Sequence, residues 1–165
     1  MKRGRRGNMV LEAALWIPVM VLLLVGMVQV GKITYLYYTL KKTVYSAARY
    51  LSTQQGVDFC DPNDASIQAA IQFALTGTTD GSGTTLVENL TPSMLQVSTE
   101  CVDPYSGALG ACSLNGCGSA VGAQRPDYVV VTIPGGYPVQ PRIPYLNLPS
   151  IPLAPTAAVP FGGSS

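Results

Sequence analysis

Few residues in this chain are equipped for chemistry. No histidine occurs among its 165 residues, which removes the commonest general base and the commonest metal ligand together. Its serines and lysines form no arrangement that would activate a nucleophile. Asp58, Asp61 and Asp64 resemble part of a calcium loop but lack the later glycine and glutamate. Gly81-Ser82-Gly83 stands outside the strand–turn–helix setting of a phosphate loop, and Asn89-Leu90-Thr91 has only the bare pattern of a glycan acceptor. Two sets of residues remain. One is Glu12, a lone carboxylate at the front edge of a long apolar run. The other is the four cysteines Cys60, Cys101, Cys112 and Cys117, all beyond that run.

A carboxylate at the rim of a membrane helix costs about 2.5–3.5 kcal/mol if carried to the helix centre, so it needs a partner. The basic leader Lys2-Arg3-Gly4-Arg5-Arg6 offers local neutralisation. Cleavage between Gly7 and Asn8 offers something more specific: a free α-amine on Asn8, able to meet Glu12 of a neighbouring helix. The cysteines are separated by forty-one, eleven and five positions, which does not match paired Cys-x-x-Cys zinc ligation. They are read as disulfide formers in a domain outside the cytoplasm, with their pairing open. No metal and no cofactor is expected.

The element that positions Glu12 is the run Ala13 to Val30. It carries no charge and suffices for a helix to cross the roughly 30 Å hydrocarbon core of a bilayer. Lys2, Arg3, Arg5 and Arg6 crowd its N-terminal side, so that side stays cytoplasmic and the C-terminal part lies outside. A cleaved secretory signal fits poorly, because Val28-Gln29-Val30-Gly31-Lys32 has no Ala-x-Ala pattern. The helical pattern also continues past the membrane. Ile33, Leu36, Leu40, Val44, Ala47 and Leu51 recur at three- and four-residue steps, with Lys32, Thr34, Thr39, Lys42 and Ser46 opposite. One helix is therefore expected from about Met9 to Ser52. Pro18 and Gly26 are its points of bending, since proline lacks an N–H and glycine loosens the backbone. Tyr35, Tyr37 and Tyr38 suit an interfacial aromatic belt.

Beyond Gln55-Gly56 a second helix is expected, capped by Asp61 or Asp64 with Pro62 near its first turn, and ended by Thr76-Gly77. Gly77 to Thr84 reads as a flexible loop, Leu95 to Cys101 as a strand, and residues 103–126 as an irregular, disulfide-stapled loop. Tyr128 to Ile133 is the clearest strand. Eight prolines between Pro134 and Phe161 exclude a regular helix there and confine any strand to a sheet edge. Leu148 to Val159 is expected as one extended edge segment. The fold class is thus α+β. It comprises a leader (1–7), a long helix (8–53) spanning the membrane at about 11–31, a small extracytoplasmic domain (54–161) with a second helix and a short antiparallel sheet, and a disordered tail (162–165). A net charge of +1, with 12% of residues charged, argues against nucleic acid as a partner.

Arg5-Arg6-Gly7, then Asn8-Met9-Val10-Leu11-Glu12 and the apolar run, resembles the class III signal of type IV pilin-like proteins. Glu12 to Pro18, with the later Ala47-Ala48-Arg49-Tyr50, is similar to the TadE-like minor pilins, or pseudopilins, of tight-adherence pili. Asn8 stands where broader pilins commonly have phenylalanine or methionine, and Ala13 replaces the usual aromatic after the glutamate. The resemblance covers about the first 53 residues. It implies a structural protein of the bacterial inner membrane, able to pass to the cell exterior within a pilus. Prepilin peptidase would cut after Gly7, and Glu12, the fifth mature residue, would recruit or register the subunit. The implied partners are other pilin subunits, the peptidase, the pilus assembly platform and the lipid bilayer. The alternative is a membrane-anchored adhesin or recognition module, with the glycine-rich, disulfide-linked loop as its contact surface.

Overall fold

The computed structural model of the chain describes residues 4–112, 126–143 and 146–162. Helix α1, Gly4–Ser52, has 49 residues and is about 74 Å long at the α-helical rise. It starts earlier than the pattern predicts, taking in Gly4 to Gly7 of the leader, where no proline stops it and Arg5 and Arg6 favour helix. The helix continues on both sides of Pro18.

Only the C-terminal half of α1 packs against the domain. Leu40, Val44, Ala47 and Leu51, on the stripe the sequence marks out, are fully buried, and so is Ala48 beside them. Helix α2, Ala65–Thr76, lies against them with Ile67, Ala70, Ile71, Ala74 and Leu75. Alanines on both helices let the two backbones approach closely. Asp64, rather than Asp61, is the cap of α2: its carboxylate accepts from the N–H groups of Ser66 at 2.8 Å and Ile67 at 3.4 Å. Asp61 closes the preceding turn, accepting from Asn63 N–H at 2.8 Å. Pro62 falls outside the helix, and its carbonyl accepts from Gln68 Nε2. Gly77, at φ +79°, ends α2 in a left-handed cap and donates to the Phe73 carbonyl.

The segment after α2, expected as a flexible loop, is tied down locally. Asp80 accepts from the N–H and the hydroxyl of Ser82, Gly83 N–H donates to Thr78 Oγ1, and Leu86 N–H donates to the Leu75 carbonyl. A 3-10 turn at Pro92–Met94 leads into strand β1, Gln96–Val102.

Strand β2, Leu109–Ala111, is antiparallel to β1 with Cys101 opposite Gly110. This corrects the expectation of an irregular loop from residue 103: the turn Asp103 to Ala108 is closed by its own hydrogen bonds and returns the chain in register. Residues 113–125 of the expected loop lie outside the described residues. Cys101 and Cys112 form a disulfide with Cα atoms 4.8 Å apart. Cys60 is also disulfide-bonded, and Cys117 lies outside the described residues.

Strand β3, Tyr128–Thr132, pairs with β1 and is the most buried strand, with Val129 and Val131 fully enclosed. The chain turns at Pro134-Gly135-Gly136 and continues as β4, Tyr137–Val139, β5, Arg142–Ile143, β6, Leu146–Asn147, β7, Ile151–Leu153, and β8, Thr156–Pro160. The main sheet has the order β2-β1-β3-β8, while β4 pairs β7 and β5 pairs β6. The proline-bearing β8 is an edge strand, as expected. The single segment expected over Leu148 to Val159 is instead two strands in different sheets. Pro155 is buried between them, has no N–H to continue a ladder, and separates β7 from β8. Of the expected disordered tail, Gly162 is held by its N–H to the Ser52 carbonyl at 3.0 Å, and residues 163–165 lie outside the described residues.

Two bonds orient the sheet along α1. Gly162 N–H meets Ser52, and Phe161 N–H donates to the Asp127 carbonyl at 2.8 Å, so the end of β8 and the start of β3 lie at the C-terminal end of α1. Strand β3 then runs back toward the middle of α1. Past the turn closed by Gly136 N–H on the Ile133 carbonyl, the pairing of β4 with β7 follows on from that of β3 with β8; Gly136 has φ +68°, and a Cβ there would meet Pro152 at 2.7 Å. The chain reaches α1 again at β5, where Gln29 Nε2 donates to the Arg142 carbonyl at 2.7 Å.

Candidate functional site: the exposed half of helix α1

Side chains from Glu12 to Leu24 are all exposed, although almost all of them are apolar. Leu15 is 73% exposed and Met27 74%, whereas Leu40 and Val44 on the same helix are at 0%. An apolar surface of this extent on one unbroken helix marks a membrane or protein interaction site. Glu12 opens this surface with its side chain exposed, and the stretch from Glu12 onward is long and apolar enough to cross a membrane. Gly7 and Asn8 lie in the helical backbone at its head. Pro18 is exposed, and Gly26 is half-buried with open space where a side chain would stand. Glu12, Pro18 and Gly26 therefore share the exposed half of α1, while Cys60, Cys101 and Cys112 belong to the domain.

Gln29 marks the boundary between the two halves. It stands four residues before Ile33 and continues the stripe Ile33, Leu36, Leu40, Val44 downward, so its amide faces the domain and finds the Arg142 carbonyl. Sequence reasoning missed this contact. The available signal was a single polar side chain within an otherwise apolar run, at helical spacing from the core stripe.

Above the boundary, Tyr37 and Tyr38 meet edge to face with ring centroids 6.0 Å apart. Tyr50, on the core side, stacks on Phe73 at 5.7 Å. Tyr35, Tyr38, Lys42, Phe73 and Leu86 line a groove of about 530 Å³ between α1 and the end of α2.

The opposite end of the molecule carries the β1–β2 hairpin. Asp103 accepts from the N–H groups of Tyr105 and Ser106, each at 2.8 Å, and Tyr105 at its tip is 98% exposed. The N–H of Ser106, then that of Tyr105, hold the Asp103 carboxyl below its ordinary range against a small opposing effect of burial. Asp80 is lowered likewise, by the N–H and hydroxyl of Ser82 and the hydroxyl of Thr78. Asp58, Asp61 and Asp64 each accept from nearby backbone N–H groups, which is turn and cap geometry.

No curated protein and no solved structure matches this chain. The family model described as TadE-like protein matches residues 7–49, from Gly7 to Arg49 near the end of α1. The matched residues hold the exposed apolar surface and much of its buried continuation, so the similarity to that family lies in helix α1.

Proposed function

We propose that this protein is a structural minor pilin, or pseudopilin, that takes part in assembly of a tight-adherence, type IV-like pilus. One observation carries the reading: a single helix presents an exposed, apolar stretch from Ala13 to Leu24 and contributes to the domain's core from Leu40 to Leu51. Such a helix needs a nonaqueous environment for the first half, supplied by lipid and then by neighbouring helices. Prepilin peptidase removes residues 1–7. The freed amine of Asn8 then meets the Glu12 carboxylate of an adjacent subunit, both away from water, where the pair registers one helix against the next. Pro18 and Gly26 let the helix bend as it leaves the bilayer for the fibre. The basic leader keeps the N-terminus cytoplasmic in the inner membrane, with the domain outside. No catalysis is assigned to the chain.

The test is recovery with sheared pilus fractions and with other pilins in detergent extracts. Glu12→Ala is expected to abolish both while membrane levels of the protein stay unchanged. Unaltered recovery of the variant would contradict the recruitment role. The alternative, a surface recognition module, draws on Tyr105 at the end of the molecule away from the membrane-length segment. Binding of the intact protein to surfaces, lost in Tyr105→Ala while pilus assembly persists, would favour it.

A further inference from the structure

We propose that α1 crosses the bilayer between about Arg6 and Val25, which places the Glu12 carboxylate inside the hydrocarbon of the cytoplasmic leaflet and Trp16 near the midplane. The placement rests on the reading that the exposed half of α1 spans a membrane, and it fixes where on that half the lipid begins and ends. The apolar run alone, Ala13 to Val30, would set the outer face near Val30 and leave Glu12 at the inner rim.

The domain limits how far the lipid can rise. Val25, Gly26, Gln29, Ile33 and Leu36 are half-buried at three- and four-residue steps, on the line that continues into the fully buried Leu40. The domain therefore lies along this stripe down to Val25. At Gln29 the neighbour is main chain: Nε2 donates to the Arg142 carbonyl at 2.7 Å, and the Arg142 side chain is exposed. Strand backbone and a guanidinium beside the helix have no place in hydrocarbon, where water cannot satisfy their polar groups. The outer face thus lies at about Val25.

Below that level every side chain from Glu12 to Leu24 is exposed. From Glu12 to Val25 the helix rises about 20 Å, some 10 Å short of the hydrocarbon thickness. The missing length comes from the N-terminal side, where Met9 is 76% exposed, and tilting the helix would only add to it. About six more residues bring the inner face to Arg6, the last basic residue before the apolar run. Glu12 then stands about 9 Å inside that face. A carboxylate at that depth is away from water, so its need for a cationic neighbour arises in the membrane itself. Tyr35, Tyr37 and Tyr38 stand about 15 Å or more beyond Val25, past the headgroup layer and not in an interfacial belt.

The experiment uses the full chain in vesicles of phosphatidylcholine with phosphatidylglycerol, the phosphatidylcholine brominated either near the chain ends or near the glycerol. Trp16 is the only tryptophan, so loss of its emission reports its depth. Chain-end bromines are expected to cause the greater loss for Trp16. Near-glycerol bromines are expected to cause the greater loss in the double variant Trp16→Phe, Val21→Trp, whose reporter stands about 8 Å from the midplane. Any other order, including the reverse one that the apolar run alone would give, would overturn the placement and leave the membrane-spanning helix standing. No loss with either lipid in either protein would overturn the spanning helix and the placement with it.

Discussion

Among single residues, the carboxylates divide by what satisfies them. Asp64 is satisfied within its own helix, as the cap that accepts from Ser66 and Ile67. Asp64→Ala is expected to cost about 1 kcal/mol, measured as a lower midpoint in urea unfolding. Asp103 is satisfied by the two N–H groups of its turn and is held below its ordinary range. Its contribution is therefore present above the unfolded value and is lost as pH falls through the folded one. Amide exchange in the turn is expected to accelerate relative to the sheet as acid is added below that ordinary range, and Asp103→Ala should abolish this dependence. Exchange that stays pH-independent in the native protein, after correction for intrinsic rates, would show that the bonds contribute nothing. The cap was legible in the sequence only as Asp61 or Asp64, because both precede the helix at capping distance and the choice depends on how the turn before it closes. Asp103 was not, since its turn acquires meaning only once β2 pairs with β1.

At the scale of elements, α1 explains what sequence can and cannot reveal. Its two halves were legible, because an uncharged run and a three–four stripe are local patterns. Helix α2 and strand β3 were legible for the same reason. The short strands β4 to β7 were not: two or three residues carry no periodicity, and their partners are set by where β3 releases the chain. The division between β7 and β8 likewise arises from burial of Pro155. Because Leu40 is fully buried where α1 enters the core, Leu40→Ala is expected to destabilise the domain by about 2–5 kcal/mol. Leu22→Ala, on the exposed half, is expected to leave domain unfolding within about 0.5 kcal/mol of the native protein. Equal losses in the two variants would contradict the division of the helix. The fold of the candidate site was thus largely visible beforehand, apart from its boundary with the domain at Gln29, which depends on a residue more than a hundred positions away.

The whole molecule is a rod with a small domain fixed along its second half. Strand β8 ends at Ser52, β3 runs back, and β5 meets Gln29, so the domain is held to α1 at both ends. That leaves the first half of the helix, with Glu12 at its head, to project alone. A helix so divided is suited to transfer from lipid into a bundle of similar helices, provided that its leader is removed and Asn8 gains a free amine. The most direct measurement of this account is the intact mass of the protein recovered from membrane and sheared-fibre fractions, with and without the peptidase. The account predicts a mass lacking residues 1–7 when the peptidase is present, and the full-length mass when it is absent or when Gly7→Ala blocks the cut. A full-length protein found in assembled, working fibres would contradict it.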